Sequence, residues 1–103
     1  MQSKVELFNR EKMKNKENMS SESRMLDIQS ELGELSKEIL KSTNYGTKEF
    51  SVTENFEMEF GDVLYSLLSL ANETNIDAEE CLTKALKKYE ARMNKKDDMG
   101  SGR

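Results

Sequence analysis

Apolar side chains recur every three or four positions along three stretches of the chain, which is the spacing of one face of an α-helix. The clearest stretch contains Phe56, Phe60, Val63, Leu67 and Leu70. Leu64, Leu68 and Ala71 widen this stripe, so the pattern predicts a helix buried on two sides. A preceding helix is predicted by Met25, Ile28, Leu32, Leu35 and Ile39. A following helix is predicted by Ala78, Cys81, Leu82, Ala85, Tyr89 and Met93.

Short polar residues mark where these helices begin, because their side chains can accept from the free backbone N–H groups of a first turn. Ser3 with Glu6 three residues later predicts a capping box and a first helix over about 3–18, which carries only a thin apolar stripe. Ser20–Ser21 precedes the second helix. Ser51 with Glu54 predicts the start of the third helix.

The predicted helix ends follow from turn-forming residues and from loss of pattern. The second helix is expected to stop near Asn44–Gly46, and Asn75 is a C-cap candidate before Asp77 opens the fourth helix. Apolar periodicity is lost from about Asn94 onward. We therefore expect one domain over residues 1–94 and a flexible C-terminal tail over residues 95–103.

The composition narrows the fold and the chemistry. The chain has 103 residues, no proline and no histidine, so a fold of many short strands and any imidazole-based catalysis are both excluded. The single cysteine, Cys81, is read as a small buried apolar side chain. A net charge of −4 gives no general affinity for nucleic acid or an anionic membrane. No apolar run is long enough to span a bilayer, and the N-terminal segment lacks the apolar core of a signal peptide, so we expect a cytoplasmic protein. The helical periodicity, together with the exclusion of many short strands, predicts an all-α fold.

Two short acidic segments echo each other. The sequence ELGEL places Glu31 and Glu34 around Gly33, and EFGDV places Glu59 and Asp62 around Gly61. The acids of each pair are three positions apart and share one helix face. A glycine inside a helix costs about 1 kcal/mol relative to alanine, so two at equivalent points suggest close approach of another helix or a ligand.

Antiparallel packing of the second and third helices would bring these four carboxylates together at the edge of the interface. Clustered anions repel one another unless they are protonated or neutralised. Oxygen-only sites favour hard divalent cations, so we expect Mg²⁺, with Mn²⁺ as an alternative. Because magnesium sites of this kind usually also hold substrate phosphates, the reaction class implied is phosphate chemistry.

These motifs, in this order and with the later segment NIDAEECLTKALKKYEAR, resemble the MazG-like nucleotide pyrophosphohydrolases of the all-α NTP pyrophosphatase superfamily. The resemblance covers residues from about 22 to 103. It implies hydrolysis of an NTP or dNTP to the monophosphate and pyrophosphate, in a role of nucleotide-pool cleaning. The metal and catalytic residues it implies are Glu31, Glu34, Glu59 and Asp62. It also implies that Lys88 and Arg92 bind phosphates.

The chain departs from the family pattern at two positions. Many members carry a glutamate where this chain has Ser30, and some carry an asparagine where it has Ser69. In this family the N-terminal region and aromatic side chains near the base set the choice of nucleotide. The candidates here are Phe8, Tyr45, Phe50, Phe56 and Tyr65, and they do not identify the nucleotide.

The composition leaves too little apolar material for a thick single-chain core, so we expect four-helix protomers that assemble into an oligomeric helical bundle, a homodimer or homotetramer. The expected partner is a nucleoside triphosphate, with no nucleic acid and no membrane. Two alternatives to an enzyme stay open at this point. One is a non-enzymatic helical interaction or regulatory protein with solvated carboxylates. The other is a module that binds nucleotide and metal without turnover.

Overall fold

A computed structural model of the chain describes residues 1–13 and 20–101, with side chains up to residue 96. The helices of the described residues are α1 (Gln2–Lys12), α2 (Ser21–Ser42), α3 (Glu54–Glu73) and α4 (Ala78–Ser101). No strand occurs in these two ranges. The predicted all-α class is therefore confirmed.

Helices α2 and α3 pack against each other as an antiparallel pair. Arg24 near the start of α2 contacts Glu73 at the end of α3, while Ser42 at the end of α2 donates a hydrogen bond of 2.7 Å to the carbonyl of Ser51 before α3. The buried apolar side chains of the described residues are Ile28, Leu68 and Ala71. Burial of this apolar area supplies the main stabilisation of the pair, but the core is small.

Helix α1 packs against α3 on a second side, through polar contacts as well as apolar ones. The Asn9 amide donates to the Ser69 hydroxyl at 3.1 Å, and the Tyr65 hydroxyl donates to the Asn9 side-chain oxygen. The rings of Phe8 and Tyr65 meet edge to face with centroids 6.0 Å apart. The expectation that α3 is covered on two sides is met by α2 and α1, although Phe60 on the same helix is still about half exposed.

Two of the predicted helix starts are correct. The Ser20 hydroxyl accepts from the N–H of Ser23, and the Asp77 carboxylate accepts from the N–H groups of Glu79 and Glu80 at 2.9 and 3.2 Å. These contacts satisfy backbone donors that have no partner inside the helix.

The two capping boxes predicted at the starts of α1 and α3 are wrong. α1 begins one residue before Ser3, with Met1 at the cap and no side-chain hydrogen bond there. α3 begins at Glu54, and Thr53 rather than Ser51 accepts from the backbone, at 3.0 Å from the N–H of Phe56. The sequence offers hydroxyls at both 51 and 53, and in the structure the backbone of Ser51 is instead hydrogen-bonded to the Ser42 hydroxyl at the end of α2.

The predicted helix ends differ from the structure in extent. α1 ends at Lys12 rather than near residue 18, and residues 14–19 lie outside the described part. The α2–α3 connection contains Asn44, Tyr45 and Gly46, all with positive φ, as expected for the turn at that point. Asn75 also has a positive φ of 58° and directly follows Thr74, the C-cap of α3.

Helix α4 extends to Ser101, although apolar periodicity is lost near Asn94. The stretch after Asn94 contains no proline, and its glycines come only at its end, so its backbone can continue the helix without an apolar stripe. The division into a domain over 1–94 and a flexible tail over 95–103 stays a prediction.

Within the described residues, α4 does not pack along another helix. Its start is linked to α1 by the Gln2 side chain, which donates to the Ile76 carbonyl at 2.7 Å and accepts from the Ala78 N–H at 2.8 Å. The prediction that Cys81 is buried is therefore wrong, because this thiol lies on an uncovered helix and is exposed.

None of the helices in the described ranges is long and apolar enough to pass through a bilayer.

Candidate metal centre

Three acidic side chains meet where α2 and α3 face each other. Glu31 from α2 and Glu59 and Asp62 from α3 each offer a carboxylate oxygen, and these oxygens all lie within 4.8 Å of one another. We call these three residues the acidic cluster. Glu31 and Glu59 are half-buried and Asp62 is exposed. The predicted convergence of acids is thus present for three of the four residues.

The fourth predicted acid, Glu34, lies outside this group. Its carboxylate is 3.9 Å from the Lys37 ammonium, and its side chain is about half exposed. Glu34 is nevertheless close enough for its charge to raise the pKa of both Glu31 and Glu59. A role for Glu34 as a direct ligand therefore stays a prediction, although its charge already acts on the carboxylates of the cluster.

The antiparallel register explains why these acids meet. Asp27 on α2 lies one helical turn before Glu31, and its partner Ser66 on α3 lies one turn after Asp62. The pair Glu31 and Asp62 therefore forms the next level of the same groove. Glu59 precedes Asp62 by three residues, so both side chains lie on the face of α3 that is turned toward α2. Spacing within each helix and antiparallel packing together build the cluster.

The carboxylates of the cluster repel one another, and among the described residues Lys37 offsets this only in part, by lowering the pKa of Glu59. Partial burial raises the pKa of Glu31, and the nearby carboxylates of Asp62 and Glu59 raise it further. Partial burial and the charge of Asp62 likewise raise the pKa of Glu59. Both carboxylates are destabilised in their charged form, and a cation would relieve that repulsion.

The residues of the cluster fit a hard divalent cation. All the donors are carboxylate oxygens, which suit Mg²⁺ and Mn²⁺ better than softer metals. Oxygens bound to one octahedral Mg²⁺ stand about 2.9 Å apart when adjacent and about 4.2 Å apart when opposite, so oxygens within 4.8 Å of one another can close on one ion by small side-chain movements. With three acids on the protein side, positions would be left for water and substrate oxygens.

The predicted phosphate-binding residues, Lys88 and Arg92, lie on α4 and are exposed. Among the described residues, neither forms an ion pair within 4.0 Å of an acid. The Lys88 ammonium lies 5.0 Å from the ring centroid of its neighbour Tyr89. Within the described chain, α4 does not bring these two cations into packing contact with the groove of α2 and α3.

The two glycines of the acidic motifs do not accommodate a neighbouring helix of the described chain. A methyl group added at Gly33 or at Gly61 would meet nothing within 4 Å. The expected close approach by a helix is therefore not found within the described residues. Space at Gly33 and Gly61 is open for a second molecule or a ligand.

Sequence reasoning missed a polar network beside the acidic cluster. Arg24 is buried, with its guanidinium 3.0 Å from Glu73 and 3.6 Å from Asp27. Ser66 is buried as well and donates to the Asp27 carboxylate at 3.5 Å. One signal was present in the sequence, since Asp27 precedes Glu31 by four residues and so shares its helix face.

The other positions singled out in the sequence are spread over the structure. Ser30, where the family resemblance predicts a glutamate, is exposed and outside the acidic cluster, whereas Ser69 is fully buried and bonded to Asn9. Phe50 and Phe56 contact each other edge to face with ring centroids 5.0 Å apart, whereas Tyr65 contacts Phe8. Tyr45 is largely exposed in the turn after α2.

Comparison with known proteins decides the family. A sequence model of the MazG nucleotide pyrophosphohydrolase domain matches residues 19–96, which include all of α2 and α3 and most of α4. The chain belongs to the MazG family. Its acidic cluster and both candidate phosphate-binding residues lie inside the matched MazG region.

Two comparisons with Bacillus subtilis support the MazG assignment. The chain is 38% identical over 71 residues to the uncharacterized protein YpjD of strain 168. That match covers 66% of this chain and 62% of the relative, so the chain spans less than two thirds of the relative's length. The crystal structure of the inferred pyrophosphatase YPJD superposes with a TM-score of 0.68 and 31% identity, over 85% of this chain and 86% of that one. The solved structure therefore shares the helical fold of this chain.

Proposed function

We propose that this MazG protein is a Mg²⁺-dependent nucleoside triphosphate pyrophosphohydrolase that converts an NTP or dNTP to its monophosphate and pyrophosphate. The observation that carries the proposal is the acidic cluster, whose three carboxylates converge inside the region matched to nucleotide pyrophosphohydrolases. Mn²⁺ is the alternative ion. Removal of unwanted nucleotides is the role that fits such an activity.

The groove between α2 and α3 would hold the cation through Glu31, Glu59 and Asp62, with Glu34 at its edge. A divalent ion bound there supplies electrostatic stabilisation of the charge that develops on the phosphates. In the reaction, the oxygen of a water molecule bonds to the α phosphorus, and the bond between that phosphorus and the bridging oxygen breaks. Pyrophosphate leaves with the bridging oxygen, and the water proton passes to a carboxylate of the groove or to solvent.

Lys88 and Arg92 would bind the outer phosphates of the same substrate. They lie four residues apart on one face of α4, so both cations can reach one triphosphate. We propose that a second copy of the chain completes the arrangement by covering α4. The homodimer or homotetramer is supported by four large apolar side chains on α4 that are more than half exposed: Leu82, Leu86, Tyr89 and Met93.

The direct test is a screen of standard and modified NTPs and dNTPs with Mg²⁺ or Mn²⁺, with pyrophosphate and orthophosphate measured separately. We expect pyrophosphate with at least one nucleotide. The matched variants are Glu59→Gln, in the acidic cluster, and Glu57→Gln, two residues earlier and about 200° around α3. Glu59→Gln should abolish turnover, whereas Glu57→Gln should retain it.

Reaction in ¹⁸O-labelled water then identifies the phosphorus attacked. Label in the nucleoside monophosphate supports the proposal, and label in pyrophosphate or orthophosphate contradicts it. If no nucleotide in the screen is hydrolysed while the protein still binds a divalent ion, the chain is a binding module. If it neither hydrolyses a nucleotide nor binds an ion, the interaction-protein alternative is favoured.

A further inference from the structure

The polar network around Arg24 contains one acidic residue more than is needed to neutralise the buried guanidinium. Arg24 is 7% exposed and makes its short contact, 3.0 Å, with Glu73. That pair alone is balanced in charge. Asp27 is a second acid on the same guanidinium, at 3.6 Å, which leaves the three residues with one surplus negative charge. A surplus acid beside an already repulsive cluster is unfavourable unless a cation is bound nearby.

The position of Asp27 is fixed from the inside. One of its oxygens, Oδ2, faces both the Arg24 guanidinium and the Ser66 hydroxyl, which donates to it at 3.5 Å. Ser66 is only 2% exposed, so this contact comes from the interior of the α2–α3 pair. The Asp27 side chain as a whole is 42% exposed. Its carboxylate is therefore held on one side by Arg24 and Ser66 and is partly exposed to solvent.

Asp27 also stands at the right level of the groove. It precedes Glu31 by one turn on α2, and its partner Ser66 follows Asp62 by one turn on α3. The charge of Asp27 is felt at the cluster, where it adds to the effects that raise the pKa of Glu31. Mg²⁺ bound by few carboxylates keeps several water molecules, and those waters need hydrogen-bond acceptors.

We propose that Asp27 is an outer carboxylate of the metal centre, accepting hydrogen bonds from water around the cation, and that Arg24 and Ser66 are the positioning residues that hold it there. This inference rests on the proposed function, because it takes the acidic cluster as a cation site. It adds a residue that the acidic motifs of the sequence do not contain. Glu73 has the separate task of balancing the buried Arg24.

The unpartnered atoms of the network support a positioning role. The Nε of Arg24 and the Oε2 of Glu73 are buried, and within the described residues they have no hydrogen-bond partner. A buried guanidinium in this state is costly, so it is poorly explained as a device for stability. Holding two acids in fixed places on either side of one guanidinium is a function that justifies the cost.

The test measures divalent-ion affinity and needs no turnover. Mn²⁺ is titrated into the whole chain, and free Mn²⁺ is followed by electron paramagnetic resonance. Asp27→Asn should weaken Mn²⁺ binding about 10-fold, as is typical for outer partners of metal ligands. Glu22→Gln removes the same charge from an exposed site at the start of α2 and should leave the affinity unchanged.

A second pair of variants separates position from charge and from loss of folding. Ser66→Ala removes the hydrogen bond to Asp27 without changing any charge, and should weaken Mn²⁺ binding in the same direction but less. Ser69→Ala removes another buried hydroxyl of α3, one bonded to Asn9 instead, and should leave Mn²⁺ binding unchanged. Melting curves of the two serine variants confirm that both are folded in the titration.

The outcomes separate this inference from the proposed function. Asp27→Asn with the affinity of Glu22→Gln, or Ser66→Ala with the affinity of Ser69→Ala, overturns the inference. If Glu59→Gln abolishes Mn²⁺ binding in the same experiment, the cation site itself stands. Absence of saturable Mn²⁺ binding in the unmodified protein overturns the metal centre, and the inference with it.

Discussion

The expected substrate site has an acidic half in the groove between α2 and α3 and a basic half on α4. The two halves differ in how completely a single protomer assembles them. In the groove, the spacing within each helix and antiparallel packing bring three acids within 4.8 Å of one another. On α4, Lys88 and Arg92 stand on a helix whose apolar residues, such as Leu86 and Met93, are more than half exposed. The fold of one chain thus assembles the acidic half, and we propose that a second copy of the chain completes the basic half.

This difference follows from where the helices find partners. α2 and α3 are joined by a short connection and bury their facing stripes against each other. α4 also carries an apolar stripe, but no other helix of the described chain packs along it. Four large apolar side chains of this stripe are more than half exposed, and a second copy is the partner that we propose for it.

The largest expected effect concerns the acidic half. Asp62→Asn should lower kcat by about 10²- to 10³-fold, because loss of a charge near the reacting phosphorus acts mainly in the transition state. Steady-state kinetics with the best nucleotide of the screen measures this. A kcat within a few-fold of the unmodified protein would place the chemistry elsewhere.

The next effect concerns how α4 is covered. Leu86→Lys places a charge in the exposed stripe, and we expect it to shift the protein from dimer or tetramer toward monomer. Light scattering after size-exclusion chromatography measures the mass. Thr83→Lys, off the apolar stripe on the same helix, is the matched control and should leave the mass unchanged. Equal masses for both variants would remove the stripe from the interface.

The convergence of acids between α2 and α3 could be predicted from the sequence, whereas the exposure of α4 could not, for physical reasons. Spacing of three within each helix and a short connection suffice to bring Glu31 to Asp62, because both are local properties. The burial of Cys81 was mispredicted because an apolar helix face indicates that a partner covers the helix, but does not identify that partner. Arg24 and Ser66 were missed because buried polar residues have no periodic signature, and their partners are known only once α2 and α3 are aligned.

A smaller effect is expected in the basic half. Arg92→Ala should raise KM about 10-fold with little change in kcat, because a grip on the outer phosphates that is equal in ground and transition states is lost uniformly. Lys95→Ala, on the same helix outside the predicted pair, is the control. A fall in kcat with KM unchanged would instead place Arg92 at the reacting centre.

The smallest effect concerns the glycines of the acidic motifs. Gly33→Ala should raise the free energy of unfolding by about 0.5–1 kcal/mol, because alanine is the better helix former and nothing within 4 Å obstructs its methyl group. Urea denaturation of the metal-free protein measures the change. A loss of stability would mean that a second copy packs closely against Gly33, and the variant's mass would then report on the same interface.

The central claim is that the groove of α2 and α3 binds a divalent cation, and thermal denaturation with and without millimolar Mg²⁺ or Mn²⁺ tests it most directly. A saturating ion stabilises the folded state that holds it, by about 2.7 kcal/mol at a hundredfold excess over Kd. We predict a higher Tm with the ion for the unmodified protein and for Glu57→Gln, and most of that gain lost in Glu59→Gln. A Tm of the unmodified protein that neither ion changes would contradict the metal centre.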